Sequence, residues 1–202
     1  MPNHSVIKYF AALQLLALSV FGQLQTNYEL INGLVSESVT NLYNNTEDMP
    51  SQVELSYVSP ADYSVFNNTV IGSLQNSGVE VVEAGTDTKR SALNYTLSQI
   101  YFVYEDSFKD GWFGGLYVKR YAEIKGSYSF ESDGKREMVN EFMLSKTDTV
   151  EYDLVSQLES SSYPFTNAEL PPEPFLSGIW EPIIALGAAV VTVILFFSVR
   201  SK

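Results

Sequence analysis

Residues 53–83, VELSYVSPADYSVFNNTVIGSLQNSGVEVVE, decide the fold. Val53, Leu55 and Tyr57 alternate with Glu54 and Ser56, which predicts a strand with one buried face. Ser59-Pro60-Ala61-Asp62 then reads as a helix start. Serine can cap, proline fits the first helical position, and an acid at the third favours the positive end of the helix. Tyr63, Phe66, Val70, Ile71 and Leu74 recur at helical spacing, and Gly78 suits a left-handed C-terminal cap. A second strand, VEVVE, follows at once. Strand, amphipathic helix and strand with short joints form a βαβ unit, which sets its two strands parallel in one sheet.

Upstream, residues 28–43 place Ile31, Leu34, Val35, Val39 and Leu42 on one face of a helix, closed by Asn44-Asn45 and Pro50. Downstream the pattern changes to long strands: LNYTLSQIYFVYEDSF (93–108), LYVKRYAEIKGSYSFES (116–132) and KREMVNEFMLS (135–145). Asp133-Gly134 joins the last two as a hairpin turn. Tyr121, Glu123 and Lys125 alternate with Ala122, Ile124 and Gly126, and Met138, Asn140, Phe142 and Leu144 suggest the partner strand's pattern. A short helix is expected from a cap at Thr147 or Asp148, with Val150, Leu154, Val155 and Leu158 as its apolar face. The fold class is therefore α+β: one mixed sheet packed by two or three helices.

The two ends of the chain predict a location. MPNHSVIKYFAALQLLALSVFG (1–22) reads as a signal peptide, with Lys8 before an apolar run. WEPIIALGAAVVTVILFFSVRSK (180–202) has no charge from Ile183 to Val199 and reads as a single transmembrane helix. In that reading Trp180 lies at one membrane interface, Ile183 and Val199 bound the span, and Arg200 and Lys202 hold the C-terminus in the cytoplasm. The expected organisation is a signal peptide at 1–22, an extracytoplasmic domain at 23–159 and a Ser/Pro-rich connector at 160–178. A transmembrane helix at 179–199 and a cytoplasmic tail at 200–202 complete it. A bacterial inner membrane with the head in the periplasm is the expected site.

Composition narrows the chemistry. The chain has 202 residues, a net charge of −12 and no cysteine. All of the Asp and Glu residues lie between Gln23 and Pro182, so nucleic acid is disfavoured as a partner. Without cysteine there is no disulfide, thiolate nucleophile or cysteine metal site, which favours a bacterial envelope over a secreted animal domain. The one histidine, His4, falls in the expected signal, so Ser–His catalysis and histidine metal sites have no imidazole to use in the head. Asn44, Asn67 and Asn94 begin Asn-x-Ser/Thr triplets, which arise easily by chance in a chain rich in these residues. No cofactor motif is present; Gly111 to Gly115 lacks the Lys-Ser/Thr of a phosphate loop, and Glu105, Asp106 and Asp110 lack EF-hand spacing.

From Tyr28 to Leu158 the order of elements resembles the small α+β domain of bacterial envelope proteins of the TolB N-terminal, curli-pore and penicillin-binding-protein-activator type. Gly78 to Glu83, GVEVVE, match the step that follows the second helix, and Ser132-Asp133-Gly134 sits where the family hairpin would be. The resemblance implies a protein-interaction domain used in envelope assembly.

The stretch EDSFKDGWFGGL (105–116) sets Trp112 and Phe113 among three glycines between two long strands, which reads either as a contact site for a partner protein or the membrane interface or as a long hairpin loop whose rings fold back onto the sheet. Lys89-Arg90 and Lys119-Arg120 are the basic pairs of this region and read as surface charge. The expected function is a membrane-anchored, non-catalytic interaction module, a subunit or assembly factor of an envelope complex. The alternatives are a carboxylate-dependent envelope hydrolase and a eukaryotic type I surface glycoprotein.

Overall fold

The computed structural model describes residues 25–82, 91–111, 114–132, 135–136, 138–174 and 180–200. The signal at 1–22, Lys89-Arg90, Trp112, Phe113, Asp133-Gly134 and Lys202 lie outside the described residues. Helix α1 (Asn27–Asn45) starts at a capping box: the Thr26 hydroxyl accepts from the Glu29 backbone N–H, and the Glu29 carboxylate accepts from the Thr26 N–H at 2.8 Å. Those bonds hold the Glu29 carboxyl below the ordinary range. The apolar stripe read from the sequence is buried as expected, with Ile31, Val35 and Val39 at 0 % exposure.

The βαβ unit forms as predicted. Strand β1 (Gln52–Val58) pairs parallel with β2 (Glu80–Val82), Val53 opposite Val81. The helix start between them differs from the expected capping box. Ala61–Phe66 is a 3₁₀ segment, and the Ser59 hydroxyl donates to the Pro60 carbonyl and leaves the helix uncapped. The α-helix proper, α2, is Asn67–Asn76. It ends as expected at Gly78, whose φ of 89° is left-handed, with the Val79 N–H returning to the Leu74 carbonyl at 3.0 Å.

Strand β3 (Ser91–Lys109) pairs parallel with β1 and antiparallel with β4 (Leu116–Ser132). Beyond β4 lie the short β5 (Lys135–Arg136) and the long β6 (Asn140–Glu151), both antiparallel to it. The sheet is thus mixed, ordered β2-β1-β3-β4 with β5 and β6 against β4. Strand β6 runs six residues past the expected strand end and occupies the positions assigned to a helix start. Thr147, Thr149 and Val150 are β-branched, and Asp148 is fixed opposite Arg120, so sheet pairing overrides the helical spacing. After a 3₁₀ turn only Val155–Leu158, helix α3, is α-helical. Val150, Val155 and Leu158 nonetheless share one small core with Tyr104 and Val118.

Helices α1 and α2 cover one face of the sheet. Leu30, Leu34, Phe66, Val70 and Leu74 pack there against Val53, Leu93, Leu97 and Ile124. Within the connector, residues 163–172 also lie against the domain. Tyr28 stacks on Phe66 and Tyr163, and the Tyr152 hydroxyl donates to the Pro171 carbonyl at 3.0 Å.

Arg120 overturns its reading as surface charge. Its side chain is 1 % exposed on the helix-covered face. It forms a bidentate pair with Asp148, Nε to Oδ1 at 2.7 Å and a terminal nitrogen to Oδ2 at 2.6 Å. The other terminal nitrogen donates to the Gln25 carbonyl at 2.9 Å and to Asn27 Oδ1 at 2.7 Å. Asn27 passes the network on, donating to the Tyr104 hydroxyl at 2.6 Å and the Thr166 carbonyl at 2.8 Å. A buried cation is tolerated only when its charge and its N–H groups find partners, and these bonds tie β4, β6, α1, β3 and the 163–166 segment together.

The last helix, α4 (Trp180–Arg200), corrects the reading of the C-terminal end. Among the described residues no helix is long and apolar enough to cross a membrane. The described side chains of α4 run from Pro182 to Ser198. These side chains are exposed, Ile183 at 53 % and Phe197 at 65 %, and pack in neither core. The expected transmembrane helix at 179–199, the single-pass inner-membrane topology and membrane attachment as a partner interaction are therefore withdrawn. Of the residues assigned to an anchor, Trp180, Val199 and Arg200 lie in α4 with side chains outside the description.

Candidate functional site: the open face of the sheet

Every second residue of β3, β4 and β6 points away from the helices. Along β4 these are Tyr117, Lys119, Tyr121, Glu123, Lys125 and Ser127. Two bulges in β3, at Leu97/Gln99 and Tyr104/Ser107, re-aim its side chains between them. Tyr101 and Phe108 consequently emerge on the open face, 47 % and 43 % exposed. Tyr101 meets Tyr121 edge to face at 6.1 Å between ring centroids, and Phe108 stacks with Tyr117 at 6.0 Å. Two ring pairs thus line the distal half of the β3–β4 hairpin.

Charge is interleaved with the rings. Lys119 reaches Glu105 at 3.7 Å and Lys125 reaches Glu123 at 3.0 Å. The Tyr121 hydroxyl donates to Glu123 at 2.8 Å, which raises the phenol's pKa; the Glu123 carboxyl is lowered by hydrogen bonding from Lys125 first and Tyr121 second. Among the described residues no group of three or more His, Cys, Asp or Glu is placed to hold a metal ion.

The hairpin tip is built tightly. The Asp110 N–H donates to the Gly115 carbonyl at 3.1 Å, and Gly111 takes a φ of 72°. A Cβ at Gly114 would overlap the Asp110 carbonyl, so glycine is required there. Trp112 and Phe113 lie between these glycines, outside the described residues.

The proximal half of the open face is concave and polar. Val58, Asn94, Thr96, Ser127, Ser129 and Val139 border a hollow of about 270 Å³. The Asn94 Nδ2 is buried there without a hydrogen-bond partner. Because glycan transfer needs an accessible amide nitrogen, the Asn94 triplet is unsuited to that chemistry as folded. A larger hollow of about 490 Å³ opens beside the first bulge, bordered by Ser98, Lys125, Gly126 and Met143.

The composition of 105–116 pointed to the tip, but the aromatic strip behind it escaped sequence reading. Tyr101, Phe108, Tyr117 and Tyr121 are ordinary strand residues, and only the bulges bring them into line. The alternation of Tyr121, Glu123 and Lys125 against Ala122, Ile124 and Gly126 was the available signal for which side is open.

No family model matches the chain, and no curated protein matches it. Its structure is similar to a minor lipoprotein from Acinetobacter baumannii at 14 % identity, over 54 % of this chain and 71 % of that one, with a TM-score of 0.32. It is also similar to the rare lipoprotein B from Shewanella oneidensis at 12 % identity, over 74 % of this chain and 97 % of that one, with a TM-score of 0.31. The similarity is therefore to small bacterial lipoprotein domains, weakly, and extends to no particular activity.

Proposed function

We propose that the domain is a non-catalytic protein-binding module whose contact surface is the distal open face of the β3–β4 hairpin and its Trp112-Phe113 tip. The aromatic strip carries this reading. Tyr101 and Phe108 stand partly in solvent with Tyr117 and Tyr121 beside them, and tyrosine offers large contact area with a polar handle at little entropic cost. The interleaved Glu105–Lys119 and Glu123–Lys125 pairs supply both signs of charge, suited to the polar rim of a protein interface. A net charge of −12 argues against nucleic acid on the same surface. The resemblance of residues 28–158 to the TolB N-terminal, curli-pore and penicillin-binding-protein-activator type favours an envelope protein as the partner.

The test is co-purification from the native cell with the double variants Trp112→Ala/Phe113→Ala and Tyr101→Ala/Tyr121→Ala. Each is expected to lower recovery of the specific partner at least tenfold while the thermal midpoint stays within a few degrees. Unchanged recovery with both variants, or a large fall in the midpoint, overturns the contact surface.

A further inference from the structure

Among the described residues, strand β6 is the longest free edge of the sheet. It pairs with β4 without a register shift over twelve residues, and no described strand pairs its other side. Along those twelve residues every second one turns its backbone N–H and C=O away from β4 and forms a template for another strand, and proteins commonly guard such edges with an inward-pointing lysine. Lys146 occupies that place: it is exposed, opposite Ala122 on the helix-covered side, one residue from Thr147 on the open side.

The sequence of β6 selects what can pair there. In a symmetric antiparallel pair of identical strands, both partners must present the same edge and the same faces. A bulge-free strand satisfies this only when the two-fold axis passes through a residue, never between two. Centring the axis on Lys146 opposes two lysines, and centring it on Asp148 opposes two aspartates; both are repulsive. Centring it on Thr147 places Lys146 opposite Asp148 twice, Leu144 opposite Val150 twice and Ser145 opposite Thr149 twice. Charged and hydroxyl side chains each meet a match in this one register, while Val150 is already buried in its own chain's small core. Asp148 keeps acceptor capacity for it, since its two bonds to Arg120 use two of about four lone-pair sites and the side chain is 29 % exposed.

We propose that β6 is a homodimer interface, in which a second copy of this chain extends the sheet antiparallel about a two-fold axis at Thr147. Lys146 is then a specificity device, repelling misregistered strands and attracting the one register that sets Asp148 of the second copy against it.

The chain has no cysteine, so single cysteines report the register directly. Directly opposed residues of an antiparallel pair have Cα atoms roughly 4.5–5.5 Å apart, within disulfide reach. In the full-length protein under mild oxidation, Thr147→Cys is expected to give a covalent dimer at least tenfold faster than a control at exposed Thr40→Cys on α1. Ser145→Cys alone and Thr149→Cys alone should link no faster than the control, while a mixture of the two, one carrying a size tag, should give the mixed dimer. Adding Lys146→Glu to Thr147→Cys should return the rate to the control value, with unchanged circular dichroism showing that the chain still folds. A Thr147→Cys rate equal to the control, or a mixture that links no better than its components, overturns the proposal.

Discussion

The two sides of β4 follow different rules although their residues alternate one by one. Toward the helices, Val118, Arg120, Ala122 and Ile124 are at most 1 % exposed, and every polar atom that enters must bring its partner. Toward solvent, Tyr117, Lys119, Tyr121 and Glu123 make rings and ion pairs that water can replace. The comparison teaches where this protein can specialise. The covered side is spent on stability, so only the open side and the strand edges are free to evolve contacts.

The sharpest way to break that comparison is at neighbouring cations. Arg120→Met leaves Asp148 and Asn27 without their buried partner and is expected to cost about 3–5 kcal/mol. Lys119→Met removes an exposed pair and should cost no more than about 1 kcal/mol. Denaturant midpoints at constant slope measure both, and equal losses would erase the distinction between the faces.

Alkaline titration probes the covered side as a whole. Burial pushes the Tyr104 phenol up to about 12, and burial also raises Tyr95. An unfolded tyrosine loses its proton near pH 10, so above that pH the unfolded state binds fewer protons than the native one. The stability these phenols contribute is full below about pH 10 and is lost as pH rises toward 12. Thermal midpoints should hold level up to about pH 10 and then fall, and Tyr104→Phe should make the fall shallower. A midpoint indifferent to pH across that window would place these rings in water.

The smallest effect belongs to the open side. Tyr121→Ser removes a ring contact with Tyr101 and a hydrogen bond to Glu123, at an expected cost of about 0.2–1 kcal/mol. A loss of several kcal/mol would show that the open face is part of the fold's own support.

Much of this was legible in the residues. The βαβ unit, the α1 stripe, the Gly78 cap and the limits of β4 follow from local rules: a period of 3.6 or 2, and a glycine where φ is positive. The readings that failed needed information from elsewhere in the chain. Residues 147–150 satisfy helical spacing locally but are strand, because β4 supplies a ladder and Arg120 a counter-charge. Lys119-Arg120 look alike in sequence, and pleat parity alone sends one to solvent and the other into the core. The C-terminal helix formed where apolar residues cluster, yet among the described residues no helix is long and apolar enough to cross a membrane.

The sequence by itself therefore determined the α+β class, the parallel opening of the sheet and the side of β4 that faces the helices. Local backbone sterics and hydrophobic periodicity act over a few residues and need no distant partner. Only the tertiary structure decided that β3 joins β1 in parallel, that Arg120 is buried with Asp148 and Asn27, and that bulged strands align four rings on the open face. Those features pair residues up to 93 positions apart, Asn27 with Arg120, and chain closure over such distances is settled by packing and charge compensation rather than by any local pattern.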